Sequence, residues 1–284
     1  MEEIMETILF LIKSAILGIV EGITEFLPIS STGHLIIAEK LLAFSGPSPN
    51  YVEMFTYVIQ LGAILAIVLL YWKKIKDTLI HFFPKKVGFE RSGFKFWLMI
   101  GIACIPGAVI GIALDDIADR YLFNPYTVAI TLFVGGFLMI WAEKRFRSNR
   151  VGADLSVSPK QAIVIGAFQC LAIIPGMSRS ASTIIGGWVA GLSTVAAAEF
   201  SFFLAIPVMI GMSALKLIKI GGLTSMTSLE MYGLGIGFFV SFLVALFVVD
   251  RFIAFLKKRP MKYFAFYRIG FGLLVLLAGY FGLF

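Results

Sequence analysis

Glu21-Gly-Ile-Thr-Glu25-Phe-Leu-Pro28-Ile-Ser30-Ser31-Thr32-Gly33-His34 sets two carboxylates, a run of three hydroxyls and an imidazole inside an otherwise apolar chain. Ionisable groups at membrane depth are costly and mark a polar cavity. Pro28 has no backbone N–H to donate, so a helix arriving from the N-terminal side ends there. Apolar stretches flank the break, Ile8–Leu27 before it and Leu35–Phe44 after it. A second polar knot, Pro175-Gly-Met-Ser178-Arg179-Ser180-Ala-Ser182-Thr183, lies between the short apolar segments Ala162–Ile174 and Ala181–Leu192 and adds a guanidinium. Non-helical backbone at such depth is tolerated only where protein or a watery cavity surrounds it. Two re-entrant helical hairpins are therefore expected, over about 8–44 and about 160–192.

Composition sets the class around these knots. Of 284 residues, 59% are hydrophobic and only 14% charged. Mean hydropathy is +0.94. A water-soluble domain of this size does not need so much apolar surface, whereas a bundle of membrane helices does. The net charge of +7 sits in short clusters between apolar runs, which argues for membrane loops and against nucleic acid. Cys104 and Cys170 lie in apolar stretches without metal-ligand spacing and are read as packing residues. The acidic start, Met1-Glu-Glu-Ile-Met-Glu, does not resemble a cleaved signal.

Six further apolar runs are long enough to cross a bilayer, over about 51–72, 94–114, 125–142, 198–218, 231–250 and 263–283. The chain also repeats itself. Lys13-Ser-Ala-Ile-Leu-Gly18 resembles Lys160-Gln-Ala-Ile-Val-Ile-Gly166, Pro28-Ile-Ser30-Ser31 answers Pro175-Gly-Met-Ser178, and Glu53-Met-Phe-Thr-Tyr answers Glu199-Phe-Ser-Phe-Phe. The expected fold is an all-α polytopic membrane protein built as two repeats, 1–150 and 151–284, within one integral membrane domain. Each repeat holds one hairpin and three spans. Three is an odd number of crossings, so the repeats have inverted topology, with a site where the broken helices meet. The loops Lys73–Lys95, Glu143–Lys160 and Arg251–Lys262 carry 17 of the 24 Lys and Arg residues. Placing them in the cytoplasm puts both termini and the first hairpin outside.

The chemistry of the knots is that of an oxyanion site. Arg179 offers a planar fork of donors matched to phosphate, with Ser178, Ser180 and Thr183 beside it. The structural alternative is an ion pair with Glu21 or Glu25. Those two glutamates are four residues apart and share a helix face, so they are candidate ligands for a divalent cation or an acid–base pair. Ser30, Ser31 or Thr32 can cap the following half-helix, and a hydroxyl beside a base is also a candidate nucleophile. His34 falls one helical turn after Ser31 and is a candidate base. Glu53 and Glu199 are read as helix-end anchors, and Arg268 as a residue reaching to the cytoplasmic interface. A transporter or flippase of a lipid phosphate or anion is the competing reading, because inverted repeats with broken helices also serve transport.

The two knots closely resemble the two signatures of the bacterial undecaprenyl-diphosphate phosphatases, the bacitracin-resistance proteins, and the similarity runs over essentially the whole chain. The resemblance implies hydrolysis of undecaprenyl diphosphate to the monophosphate carrier used in cell-wall synthesis. It implies a plasma-membrane site reached from the outer face and stimulation by a divalent cation such as magnesium or calcium. It assigns catalytic roles to Glu21, Glu25, Ser31, His34 and Arg179, and includes Thr32 in the serine–threonine turn. The residues themselves add Ser30, Ser178, Ser180 and Thr183 as substrate ligands. The expected partners are undecaprenyl diphosphate and the lipid bilayer, with no nucleic acid; a homodimer is compatible with the sequence.

Overall fold

The computed structural model describes residues 1–147, 156–220 and 226–281, and among these it contains helices and no strand. The helices are α1 (Glu2–Thr24), α2 (Ser31–Leu41), α3 (Tyr51–Leu70), α4 (Trp72–Ile80), α5 (Pro84–Val87), α6 (Gly93–Tyr121), α7 (Pro125–Phe146), α8 (Pro159–Gln169), α9 (Arg179–Val189), α10 (Thr194–Ile220), α11 (Ser228–Leu256) and α12 (Lys262–Tyr280). Their starts follow from local chemistry. Asn124 accepts from the amide of Thr127 ahead of Pro125. Ser158 with Gln161, and Thr227 with Glu230, form reciprocal capping boxes.

Seven helices among the described residues are long and apolar enough to cross a bilayer: α1, α3, α6, α7, α10, α11 and α12. Six match the runs expected as spans, the last of which ends at 283, beyond the described residues. The seventh is α1. It starts at Glu2 rather than near Ile8 and has 23 residues, so the arm entering the first break is a full-length helix. The second break has two short arms, α8 and α9, of 11 residues each. The acidic stretch Asp115–Arg120 lies in the last turns of α6.

The polarity of α1 is the reverse of that in a soluble protein. Ile8, Ile12, Ile16, Ile19 and Ile23 form an exposed stripe, while Ser14, Gly18 and Glu21 face the interior. An apolar outside over a polar inside is stable only in lipid, so the chain is a multi-pass membrane protein. Close packing inside relies on small residues. A Cβ on Gly18 would stand 2.6 Å from the Gly237 carbonyl oxygen, and one on Gly22 would stand 2.7 Å from that of Ser241. The α1 and α11 backbones therefore nearly touch. The helices α7 and α12 form a second intimate pair. The largest apolar core gathers α6, α8, α9 and α10 around Ile165, Trp188, Phe200 and Phe203. Glu199 is anchored by Lys74 at 3.1 Å.

Candidate functional site

The two broken regions meet inside the bundle, and the same backbone device shapes both. Ser30 caps α2 with φ 73°, and its hydroxyl accepts from the Gly33 amide at 3.3 Å. Ser178 caps α9 with φ 67°, and its hydroxyl accepts from the Ala181 amide at 3.3 Å. A left-handed conformation at a residue with a side chain costs on the order of 1–3 kcal/mol and persists only where the surroundings enforce it. The matching caps pair Ser30 with Ser178, one residue off the sequence alignment, which set Ser31 against Ser178. In this register His34 corresponds to Ser182. Both turn a side-chain donor back onto the cap carbonyl, His34 Nδ1 on Ser30 at 2.7 Å and Ser182 Oγ on Ser178 at 2.9 Å.

One carboxylate joins the two regions. Glu25, 6% exposed, accepts from Ser31 Oγ at 2.5 Å on Oε2 and from Arg179 Nη2 at 2.7 Å on Oε1. Arg179 thus has the glutamate partner that the structural alternative required. It keeps spare capacity: Nη1 donates to the Ser201 carbonyl at 3.2 Å, and Nε is buried without an acceptor. Its guanidinium also lies 5.7 Å from the Phe26 ring centroid. Glu21 is fully buried, no N–H or hydroxyl donor reaches its carboxylate oxygens, and it stands against the Glu25 carboxylate with Arg179 as a further electrostatic neighbour.

Both ring nitrogens of His34 are engaged by groups other than the Ser31 hydroxyl. Because its Nδ1 faces a carbonyl, that nitrogen carries the hydrogen in the neutral ring, and Nε2 accepts from the Tyr267 hydroxyl at 2.8 Å. Phe271 stacks on the imidazole at 4.4 Å between centroids. The hydroxyls of Ser178, Ser180 and Thr183 all meet protein groups. Ser180 Oγ donates to the Leu27 carbonyl at 2.9 Å, so the 3.1 Å contact between Ser178 and Ser180 is donated by Ser178. Thr183 lies 2.6 Å from Ser201 Oγ and also donates toward backbone carbonyls of its own helix. Thr32 is half-buried at the first turn of α2.

Sequence reasoning missed the contribution of α12. Tyr267 and Phe271 sit four residues apart on one face and hold His34, a spacing visible in the sequence but indistinguishable there from ordinary apolar packing. Arg268 was visible as a charge but was assigned to the interface; it is 1% exposed and lies between the two broken regions. Beside Tyr267 and Ile29 opens an apolar cavity of about 400 Å³, lined also by Ile23, Leu27, Phe255 and Phe264.

Fold and site together define a polytopic helical membrane protein with a buried hydroxyl–carboxylate–guanidinium centre. The chain belongs to the bacitracin resistance protein BacA family, whose model matches residues 14–274. It is 66% identical to an undecaprenyl-diphosphatase of Ruminiclostridium cellulolyticum over 281 residues, covering 99% of this chain and 100% of that protein. It is 53% identical to an undecaprenyl-diphosphatase of Clostridium novyi, covering 98% of each. A Clostridium tetani protein of the same name is 51% identical, covering 96% of this chain and 98% of its own length.

Proposed function

We infer that this protein is an undecaprenyl-diphosphate phosphatase, which hydrolyses undecaprenyl diphosphate to undecaprenyl phosphate and inorganic phosphate and so supports cell-wall synthesis and bacitracin resistance. The observation that carries the chemical reading is the linkage Ser31–Glu25–Arg179, at 2.5 and 2.7 Å across the two broken regions. Ser31 Oγ attacks the terminal phosphorus as its proton passes to Glu25 Oε2. The bridging P–O bond breaks and undecaprenyl phosphate leaves. Water then hydrolyses the phosphoserine and inorganic phosphate departs. Glu25 is the base because it already accepts the Ser31 hydrogen bond; His34, occupied on both nitrogens, orients the turn through Tyr267.

Arg179 stabilises the transferring phosphoryl group through its unengaged Nε and through the exchange of Nη2 from Glu25 to a phosphate oxygen. The N-terminal amides of α2 and α9, with the Thr32 hydroxyl, add donors for the diphosphate. Ser30 and Ser178 shape the turns, while Ser180 and Thr183 brace them and act on the phosphates indirectly.

The residues also fit a divalent cation. Both oxygens of Glu21 are buried, reached by no N–H or hydroxyl donor, and set against the Glu25 carboxylate, an arrangement that a hard, oxygen-seeking ion such as magnesium or calcium would satisfy. Two glutamates are fewer than its coordination number, so water and substrate oxygens would have to supply the remaining ligands. When bound, the ion neutralises charge on the diphosphate.

The apolar cavity beside Tyr267 receives the head-proximal part of the prenyl chain, and the bilayer takes the rest. The two halves, 1–150 and 151–284, form an inverted-topology repeat whose breaks are re-entrant, with the site opening to the outer face of the plasma membrane. Support comes from the matching serine caps and from the basic loops.

The deciding experiment measures inorganic phosphate released from a prenyl diphosphate by the purified protein in detergent, where there are no two sides for transport. Release is expected; its absence in folded protein refutes the phosphatase reading.

A further inference from the structure

Arg268 lies inside the bundle, six residues into α12, and is 1% exposed. Taking a guanidinium out of water costs several kcal/mol even after relaxation, so its partners must matter. Among the described residues it makes no ion pair with a carboxylate; its partners are two backbone carbonyls. Nη1 donates to the Pro28 carbonyl at 3.4 Å and Nη2 to the Gly176 carbonyl at 2.9 Å. These carbonyls hold equivalent places. Each belongs to the residue two positions before a left-handed cap serine, Ser30 in one turn and Ser178 in the other. Room for the fork comes from Gly135 on α7, where a Cβ would stand 2.1 Å from Nη2.

We propose that Arg268 is a positioning residue for phosphoryl transfer, fixing the separation between the turn that bears Ser31 and Glu25 and the turn that bears Arg179. The proposal rests on the phosphatase reading given above. Two other cross-links tie the turns together, the Arg179–Glu25 ion pair and the Ser180 bond to the Leu27 carbonyl at 2.9 Å. The ion pair opens when Arg179 turns to the phosphate, and at that moment the remaining links must keep the register. A rigid planar group with two separated donors suits this task. An ammonium on a flexible stem cannot hold both carbonyls in the same geometry.

The test uses Arg268→Lys and Gly135→Ala, the second of which leaves the arginine in place but puts a methyl group in its site. Phosphate release from a prenyl diphosphate in detergent gives kcat and KM separately, and thermal unfolding gives the folded fraction at the assay temperature. An error of about 1 Å in placement costs up to about 100-fold in rate. The expected result is a kcat about 10- to 100-fold lower per folded molecule, with KM within about threefold of the parent. A purely structural role would lower the folded fraction and leave kcat per folded molecule unchanged. Parent kcat in either folded variant, or a loss confined to KM, overturns the proposal. If Arg268→Lys does not fold, Gly135→Ala decides by the same criterion. If neither folds, the role is structural and the proposal falls. An unmodified protein that releases no phosphate refutes the phosphatase reading instead, which separates the two failures.

Discussion

Ser31 Oγ lies 2.5 Å from Glu25 Oε2, a hydrogen bond between residues on opposite sides of the Pro28 break. The break makes the bond available. On one continuous helix, residues six apart point to different faces, but the turn over 25–29 folds the start of α2 back toward the end of α1. The other oxygen of the same carboxylate is held by Arg179, so Ser31, Glu25 and Arg179 are mechanically one unit.

Replacing Ser31 by Ala removes the proposed nucleophile but leaves the Glu25–Arg179 pair in place. We expect kcat to fall roughly 1000-fold or more while the fold is retained. Brief incubation with a prenyl diphosphate labelled on the terminal phosphate should label the parent protein and not the variant. A variant retaining a tenth of parental activity would show that water attacks directly.

Removing Arg179 alone leaves Glu25 as an uncompensated buried charge. We expect Arg179→Ala to be inactive and destabilised by about 3–5 kcal/mol, read as a lower unfolding temperature in detergent. Combining it with Glu25→Gln should recover much of the stability and none of the activity. Equal destabilisation in the single and double variants would contradict the pairing.

The Glu21 carboxylate, buried against Glu25 and reached by no N–H or hydroxyl donor, predicts a dependence on divalent cations. A chelator should suppress phosphate release by the parent protein, with magnesium or calcium restoring it. Glu21→Gln should shift the half-saturating cation concentration upward by about tenfold or more, because a neutral amide is a weaker ligand for a hard cation. An unchanged cation titration would remove Glu21 from the ligand set.

Close backbone approach between α1 and α11 makes Gly18 intolerant of a side chain, since the first atom added meets the Gly237 carbonyl at 2.6 Å. Gly18→Val should destabilise the protein by about 1–3 kcal/mol or more through overpacking. Gly101→Ala is the control, because an added Cβ there meets nothing within 4 Å. It should be neutral or stabilise by up to about 1 kcal/mol through helix propensity. Similar unfolding temperatures for the two variants would argue against the α1–α11 contact.

Much of the site was legible because its polar residues are conspicuous against lipid. Glu21, Glu25, Ser31 and Arg179 stand out in apolar surroundings, and all four lie in one buried cluster. Their partners were less legible. His34, one helical turn from Ser31, and Glu25 were both candidate bases; local spacing could not show that the Ser30 carbonyl meets His34 Nδ1 and that the Tyr267 hydroxyl meets Nε2. Ser180 and Thr183 had the composition of phosphate ligands, yet their protons go to protein acceptors. Hydroxyl count does not reveal which lone pairs and hydrogens the scaffold consumes.

The sequence by itself determined the class of the protein, six of its seven candidate spans, the two breaks and the residue types that meet there. Hydropathy, proline and helix capping act over a few residues, so these features are local. Only the tertiary structure decided that α1 is a full-length helix, that Glu25 rather than His34 receives the Ser31 proton donor, and that Arg268 holds both turns. The contacts of Arg179 with Glu25 and of Arg268 with Pro28 span 154 and 240 residues of chain. The Arg268 contact forms because α7 and α12 pack closely where Gly135 leaves room for a guanidinium, and no local pattern encodes either meeting.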